Sequence, residues 1–312
     1  MRPSRREILS LVTDVHDWMS PGRRSFRSAP IILFLALGLA FFSACTQVVI
    51  RTAAPSLIPN FTASIFEECD AELARNAIPS SLKLMEGLLR NDPQNKEILL
   101  SLSMGFAGYS LLFVEPEDPE RASQLYLRAR AYGLEALGEK GERLLGVSRE
   151  KLQAALKTIS KDDYQALFWA TLSWNAWISV NLDQPKALSE MAAAEACLKR
   201  LLEMNPNYLH GLPNVLMGVS LSARPPLLGG NPGQALSHFE AAMQSGEGKF
   251  FLTQVFFARY YAVRVQDKAL FDKLLEGVTH GDPGALKDVC LINQVMQERA
   301  RALMKQRDDL FF

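Results

Sequence analysis

Three adjacent acidic pairs, Glu67-Glu68, Asp162-Asp163 and Asp308-Asp309, are the first residues that could do chemistry. General acid–base catalysis needs two carboxylates facing one pocket. The pairs fall near the ends of apolar-periodic stretches, where helix capping and the helix dipole account for the first two without catalysis. Downstream of residue 45 the histidines are His210, His238 and His280, and none stands in HExxH or another metal-ligand spacing. The chain carries no GxSxG elbow, no phosphate loop with its Lys and Ser/Thr, and no dinucleotide fingerprint. Gly229-Gly230-Asn231-Pro232-Gly233 opens a helix and is placed to meet an anion, but it lacks the Lys and Ser/Thr of a phosphate loop, and loop closure is the preferred account of its glycines. The expectation is a non-catalytic protein with no metal and no cofactor.

Binding chemistry is better represented. Phe168, Trp169, Trp174, Asn175 and Trp177 crowd one segment. Phe106, Tyr109 and Phe113 mark a second, and Phe256, Phe257, Tyr260 and Tyr261 a third. Core packing is the default use of such stripes. A pocket lined by Tyr109, Trp174, Asn175, Trp177 and Tyr260 would suit an apolar or amphipathic small molecule.

The elements that must position these side chains are helices. From Ser64 onward apolar residues recur at intervals of three and four, with almost no alternation of period two. The pattern predicts helices near 64–76, 79–90, 95–113, 119–137, 149–157, 162–181, 185–204, 208–222, 232–244, 249–265, 267–278 and 284–307. Asp118-Pro119, Asn231-Pro232 and Asp282-Pro283 supply a capping side chain before a first-turn proline. A small–bulky–small spacing at i, i+4 and i+7 recurs at Ala122/Tyr126/Ala129, Ala194/Leu198/Leu201 and Ala235/Phe239/Ala242, and more loosely at Ser81/Met85/Leu88. That spacing marks tetratricopeptide (TPR) hairpins, in which the small residues let a partner helix approach. The expected fold is all-α, with about four degenerate TPR-like pairs in a compact superhelix and further helices at the C-terminus.

Composition sets the wider limits. The 312 residues carry 34 basic and 34 acidic side chains, which argues against a nucleic-acid partner. Six of the arginines and three of the acids lie in the first 44 residues, so the remainder is slightly acidic. Arg23, Arg24 and Arg27 precede an uncharged run from Ala29 to Ala44, which has the length of a secretory signal and falls short of a membrane span. It ends in Phe42-Ser43-Ala44-Cys45, close to a bacterial lipobox except that Phe42 stands where an aliphatic residue is usual. The expectation is a signal peptide over 1–44, with 1–18 upstream of a second start at Met19. Cys45 is then lipidated, 45–62 is a tether and 63–312 the helical domain. Thr46, in place of Asp, points to the periplasmic side of the outer membrane. Buried free thiols are expected for most of Cys69, Cys197 and Cys290, with one bridge left open.

One further run carries a resemblance. Ala223-Arg224-Pro225-Pro226-Leu227-Leu228-Gly229-Gly230-Asn231-Pro232-Gly233-Gln234-Ala235 is followed by His238-Phe239-Glu240-Ala241-Ala242, Tyr260-Tyr261-Ala262-Val263 and Gln266-Asp267. Then come Phe271, Leu274-Leu275, Leu291-Ile292-Asn293, Arg299-Ala300-Arg301-Ala302-Leu303 and Asp308-Asp309-Leu310-Phe311. In this order, over about 64–312, the chain resembles the TRAP transporter T-component (TatT) lipoproteins. The resemblance implies an all-helical, TPR-like fold around a central cavity and a non-catalytic accessory role beside a TRAP-type solute-binding protein. It also implies a small hydrophobic or amphipathic ligand and a homo-oligomer, a trimer. Arg224 becomes a ligand-binding candidate, and Pro225, Gly229, Gly230 and Asn293 are family-like positions. The competing reading is a TPR scaffold lipoprotein of an outer-membrane assembly or another envelope complex.

Overall fold

The computed structural model describes residues 57–311. The expectations for the signal segment, Cys45 and the tether up to residue 56 lie outside the described residues. Among the described residues every regular element is helical.

Helix α1 (Leu57–Phe66) begins inside the stretch read as tether, because its apolar face packs and Ile58 is buried. Helix α2 (Ala71–Leu89) starts at Asp70, whose carboxylate accepts from the Glu72 and Leu73 amides at 3.0 Å. It runs through Pro79, where the sequence pattern predicts two helices. An interior proline costs about 3 kcal/mol. The buried stripe Ala74, Ile78, Leu82 and Met85 continues across it, and packing on the next helix holds the two halves in line.

Helix α3 (Lys96–Tyr109) passes directly into a π-helical segment, Ser110–Val114. Together they are long and apolar enough to cross a membrane, but 61% of that stretch is buried inside the protein, as befits a central core helix. Helix α4 (Pro119–Ala136) packs between α3 and α6 (Tyr164–Ser179), with the short α5 (Arg149–Lys157) between them in sequence. Gly133 makes this approach close: a Cβ there would meet Ser103 Oγ at 2.8 Å and Ala170 Cβ at 2.9 Å. Helices α7 (Pro185–Met204), α8 (Tyr208–Ala223) and α9 (Pro232–Ser245) follow. Next, α10 (Phe251–Phe256) runs through a second π-helical segment, Phe257–Ala262, into a last turn, Val263–Val265. Helices α11 (Lys268–His280), α12 (Cys290–Lys305) and α13 (Arg307–Leu310) complete the chain.

The capping expectations hold at Asp118 and Asn231, which accept from the Arg121 and Gln234 amides at 2.9 and 3.0 Å. Asp282 instead caps a short 3-10 turn, Pro283–Ala285, so the last long helix starts at Cys290 and not at 284. The start of α8 is also irregular, since Leu209, His210 and Gly211 all take positive φ. Every residue of Ala122/Tyr126/Ala129, Ala194/Leu198/Leu201 and Ala235/Phe239/Ala242 is fully buried. In the loose fourth triplet only Met85 is buried, and Leu88 is exposed.

Cys69 and Cys290 form a disulfide, with Cα atoms 5.2 Å apart and a sequence separation of 221. The expectation that most of these thiols are free is therefore corrected: only Cys197 is, and it is buried. The bridge joins the α1–α2 loop to the start of α12, a contact that no local pattern reveals.

Candidate functional site

A cleft opens where α6, α7, α8, α10 and the two π segments face one another. Its cavity volume is about 60 Å³, continuous with an open mouth. The walls are apolar, with Leu172, Met191, Leu212, Leu216, Leu252 and Phe256 the main contributors. Each helix presents one stripe to it. On α6 the stripe is Leu172, Asn175, Ala176 and Ser179, spaced i, i+3, i+4 and i+7 as one helical face requires.

The same geometry corrects two expectations. Trp174 and Trp177 belong to the neighbouring stripe of α6 and are buried against α4 and α7. The Trp174 indole N–H donates to Glu190 Oε2 at 2.7 Å. The Arg130 guanidinium lies over both rings, 5.1 and 5.4 Å from their centroids, and pairs with the same Glu190 carboxylate at 2.7 Å. Both tryptophans are held structurally and neither lines the cleft.

Tyr109 lies elsewhere too. It lines a separate apolar hollow under α1, together with Phe61, Phe66, Met85 and Met104. Asn175 and Tyr260 do line the cleft. Asn175 Nδ2 donates to the Thr171 carbonyl at 2.9 Å, which leaves its side-chain oxygen for a ligand. The Tyr260 hydroxyl has no hydrogen-bond partner among the described residues. Arg224 sits at the rim, but its guanidinium is already committed to Glu195 and Ser220. Its part is to fix the rim, and it is not free to hold an anion. Pro225, Gly229 and Gly230 form the adjoining loop and contribute no side chain to the cleft. Asn293 ties backbone together: it accepts from the Phe251 amide at 2.9 Å and donates to the Lys249 and Pro283 carbonyls.

One polar group in the cleft, Glu115, is not among the site residues expected from the sequence. Glu115 follows directly on the first π segment, and its amide bonds back five residues to the Ser110 carbonyl at 2.8 Å. Its carboxylate accepts from the Tyr126 hydroxyl. Arg299, reaching in from α12, donates to the Leu111 and Leu112 carbonyls of the same π segment and interacts electrostatically with Glu115. Burial raises the Glu115 carboxyl above its ordinary range, against the opposing pull of Tyr126 and Arg299. Burial likewise lowers the Arg299 guanidinium and raises the Tyr260 phenol. The uncharged run from Glu97 to Glu115 was the available signal, since a carboxylate closing so apolar a stretch must find a partner or stay protonated. The π segments left no signal at all, yet both flank the cleft, as such segments often do at sites.

The result is a pocket with mainly apolar walls, in which Glu115, Tyr260 and Asn175 are among the few polar groups. Its lining matches in kind the mix of apolar walls and a few polar groups that takes the hydrocarbon part and a polar group of a small molecule. No group of three or more His, Cys, Asp or Glu placed to hold a metal ion occurs among the described residues.

Comparison with known proteins agrees with this architecture. Residues 67–311 match the family model described as TRAP transporter T-component. An uncharacterized protein of Treponema pallidum (strain Nichols) is 24% identical over 271 residues, spanning 81% of this chain and 84% of its own.

Proposed function

This chain belongs to the TRAP transporter T-component family, and from that premise we propose that it is a periplasm-facing lipoprotein serving a TRAP-type solute transport system. Lipid on Cys45 anchors it to the outer membrane. The helical body then meets the system's solute-binding protein, and the cleft holds a small hydrophobic or amphipathic ligand. The supporting observation is the make-up of the cleft: a mainly apolar lining from α6, α8 and α10, with Glu115, Tyr260 and Asn175 among its few polar groups. Such a site binds and releases. Asn175 and Tyr260 keep polar atoms open to a ligand, and the reading is a carrier or adaptor and not an enzyme.

The test is one preparation with two readouts. Cells producing the natural chain and Cys45→Ala are fractionated, and each form is sedimented with the solute-binding protein of the same system. The natural chain is expected in the outer-membrane fraction and the variant in the soluble fraction, with both forming a heavier joint species. A variant that stays with the membrane sinks the anchor, and the absence of a joint species sinks the partnership.

A further inference from the structure

Helix α1 does not fill the groove it lies in. Ile58, Thr62 and Phe66 recur every four residues and so share one face of the helix. Phe61 and Ile65, on one side of that face, line the apolar hollow that also holds Tyr109. Pro59 and Ala63, on the other side, line a second and larger space, with a cavity volume of about 280 Å³. None of its lining residues is shared with the cleft.

Along α3 this space meets a single stripe, Glu97, Leu100, Ser101 and Met104, at i, i+3, i+4 and i+7. Trp169 of α6, with Tyr208 and Leu209 at the start of α8, adds to the walls. The end of α1 is held in place by the Glu67–Lys287 ion pair and, just beyond it, by the Cys69–Cys290 bridge.

Two observations give the space a preference for one kind of ligand. The first is charge. The lining holds three carboxylates, Glu67, Glu97 and Asp288, and no Lys or Arg. Glu67 pairs with Lys287 at 2.9 Å and Asp288 with His210 at 2.8 Å. The Glu97 carboxylate has no ion-pair or hydrogen-bond partner among the described residues. Its place in the first turn of α3 suits the helix dipole but supplies no donor to the carboxylate.

The second observation is Ser101. It is only 7% exposed, yet its hydroxyl has no hydrogen-bond partner among the described residues. A buried hydroxyl in that state costs free energy until something in the space bonds to it. Glu97 and Ser101 stand four residues apart on one face of α3, so their Cβ atoms are about 5–6 Å apart. An ammonium carries three donors and can reach both oxygens at once.

We propose that this groove is a second binding site, and that it takes a small organic amine. The ammonium lies between Glu97 and Ser101, and the hydrocarbon runs along Leu100, Met104, Phe66 and Trp169. The site is independent of the cleft and of the transport reading.

The experiment titrates the purified full chain near neutral pH with hexylamine, hexanol and hexanoate, and reads binding by calorimetry. The three probes share one alkyl chain and differ in the charge of the head. Hexylamine is expected to bind at least about tenfold more tightly than hexanoate, with hexanol between them. Glu97→Gln should weaken hexylamine about tenfold and leave hexanol unchanged. Ser101→Ala, which makes no steric demand, should also weaken hexylamine. Glu120→Gln is the control, since it removes the same charge from the first turn of α4, where Glu120 is exposed and outside the groove. It should leave hexylamine binding as it is. Hexanoate binding as tightly as hexylamine overturns the proposal, as does an absence of hexylamine binding by the natural chain. Equal hexylamine affinity in Glu97→Gln and the natural chain places the amine elsewhere and also overturns it. So does an equal loss in Glu97→Gln and Glu120→Gln, which would reduce the effect to net charge. An unchanged affinity in Ser101→Ala overturns the shared contact on which the site is built.

Discussion

Asp163 shows how far a single carboxylate can be bound into this fold. Its Oδ2 accepts from Lys140 Nζ at 2.6 Å, from the Ser160 hydroxyl at 2.7 Å and from the Ser160 amide at 3.0 Å, and Lys96 lies 3.5 Å from Oδ1. Burial alone would raise its pKa, but the hydrogen bonds from Lys140 and Ser160 outweigh it and hold the carboxyl far below the usual range. A depressed folded pKa stabilises the fold above the unfolded value of 3.8, and that stabilisation drains away as pH falls below it. Asp163→Asn is therefore expected to cost about 1–3 kcal/mol at pH 7. In urea titrations the gap to the natural protein should narrow as the pH is taken from 7 towards 3. A gap independent of pH would mean that the loss is one of packing. Glu115 has the opposite sign: its pKa is raised, chiefly by burial, so its stabilising share is largest at low pH and is lost as pH rises through the folded value. The acidic pair Asp162-Asp163 thus divides its work. Only the second member is buried, and its role is the structural one that sequence spacing suggested.

Among the helices, what decides a residue's value is the distance to the neighbouring helix. Gly218 on α8 faces the Phe239 ring of α9, where an added Cβ would lie 2.8 Å from Cε2 and 2.9 Å from Cδ2. Phe239 cannot yield: it is fully buried and stacked on Phe257, with centroids 4.8 Å apart. Replacing a helical Gly by Ala gains about 1 kcal/mol in propensity, whereas overpacking costs about 1–3 kcal/mol. Overpacking wins, so Gly218→Ala should lower the thermal midpoint. Gly87 on α2 has nothing within 4 Å of its notional Cβ. Gly87→Ala should therefore raise the midpoint, and calorimetry of the two variants side by side checks both signs. A rise for Gly218→Ala would show that α8 and α9 stand further apart than described here.

At the scale of the molecule, the Cys69–Cys290 bridge closes a loop of 221 residues and ties the first helices to the last long one. Cross-linking so long a loop restricts the unfolded chain, and its loss typically costs about 2–5 kcal/mol. Reductant should lower the urea midpoint of the natural protein and leave Cys69→Ser unmoved. Cys197 does not confuse the reading, because burial pushes its thiol up to about 12 and keeps it from attacking the bridge. If the two proteins shift equally, the bridge is absent in solution.

The sequence alone determined the helical class, the caps at Asp118 and Asn231, and the buried small–bulky–small triplets. All of these are local: a helix repeats its side-chain directions every 3.6 residues, and a cap is read within four residues. The ordered segments from Ala223 to Phe311 also sufficed for the family, because order and spacing survive in the chain itself. The cleft was only half legible. Asn175 and Tyr260 line it, but Trp174 and Trp177 do not, because one residue along a helix turns a side chain by about 100°. Which stripe of α6 faces the cleft is decided by α4 and α7, which cover the other. Glu115 joined the site through a π turn, and Arg299 through a helix far away in sequence. The disulfide likewise needed the two ends of the domain to meet. These features depend on contacts across the whole fold, and only the tertiary structure could decide them.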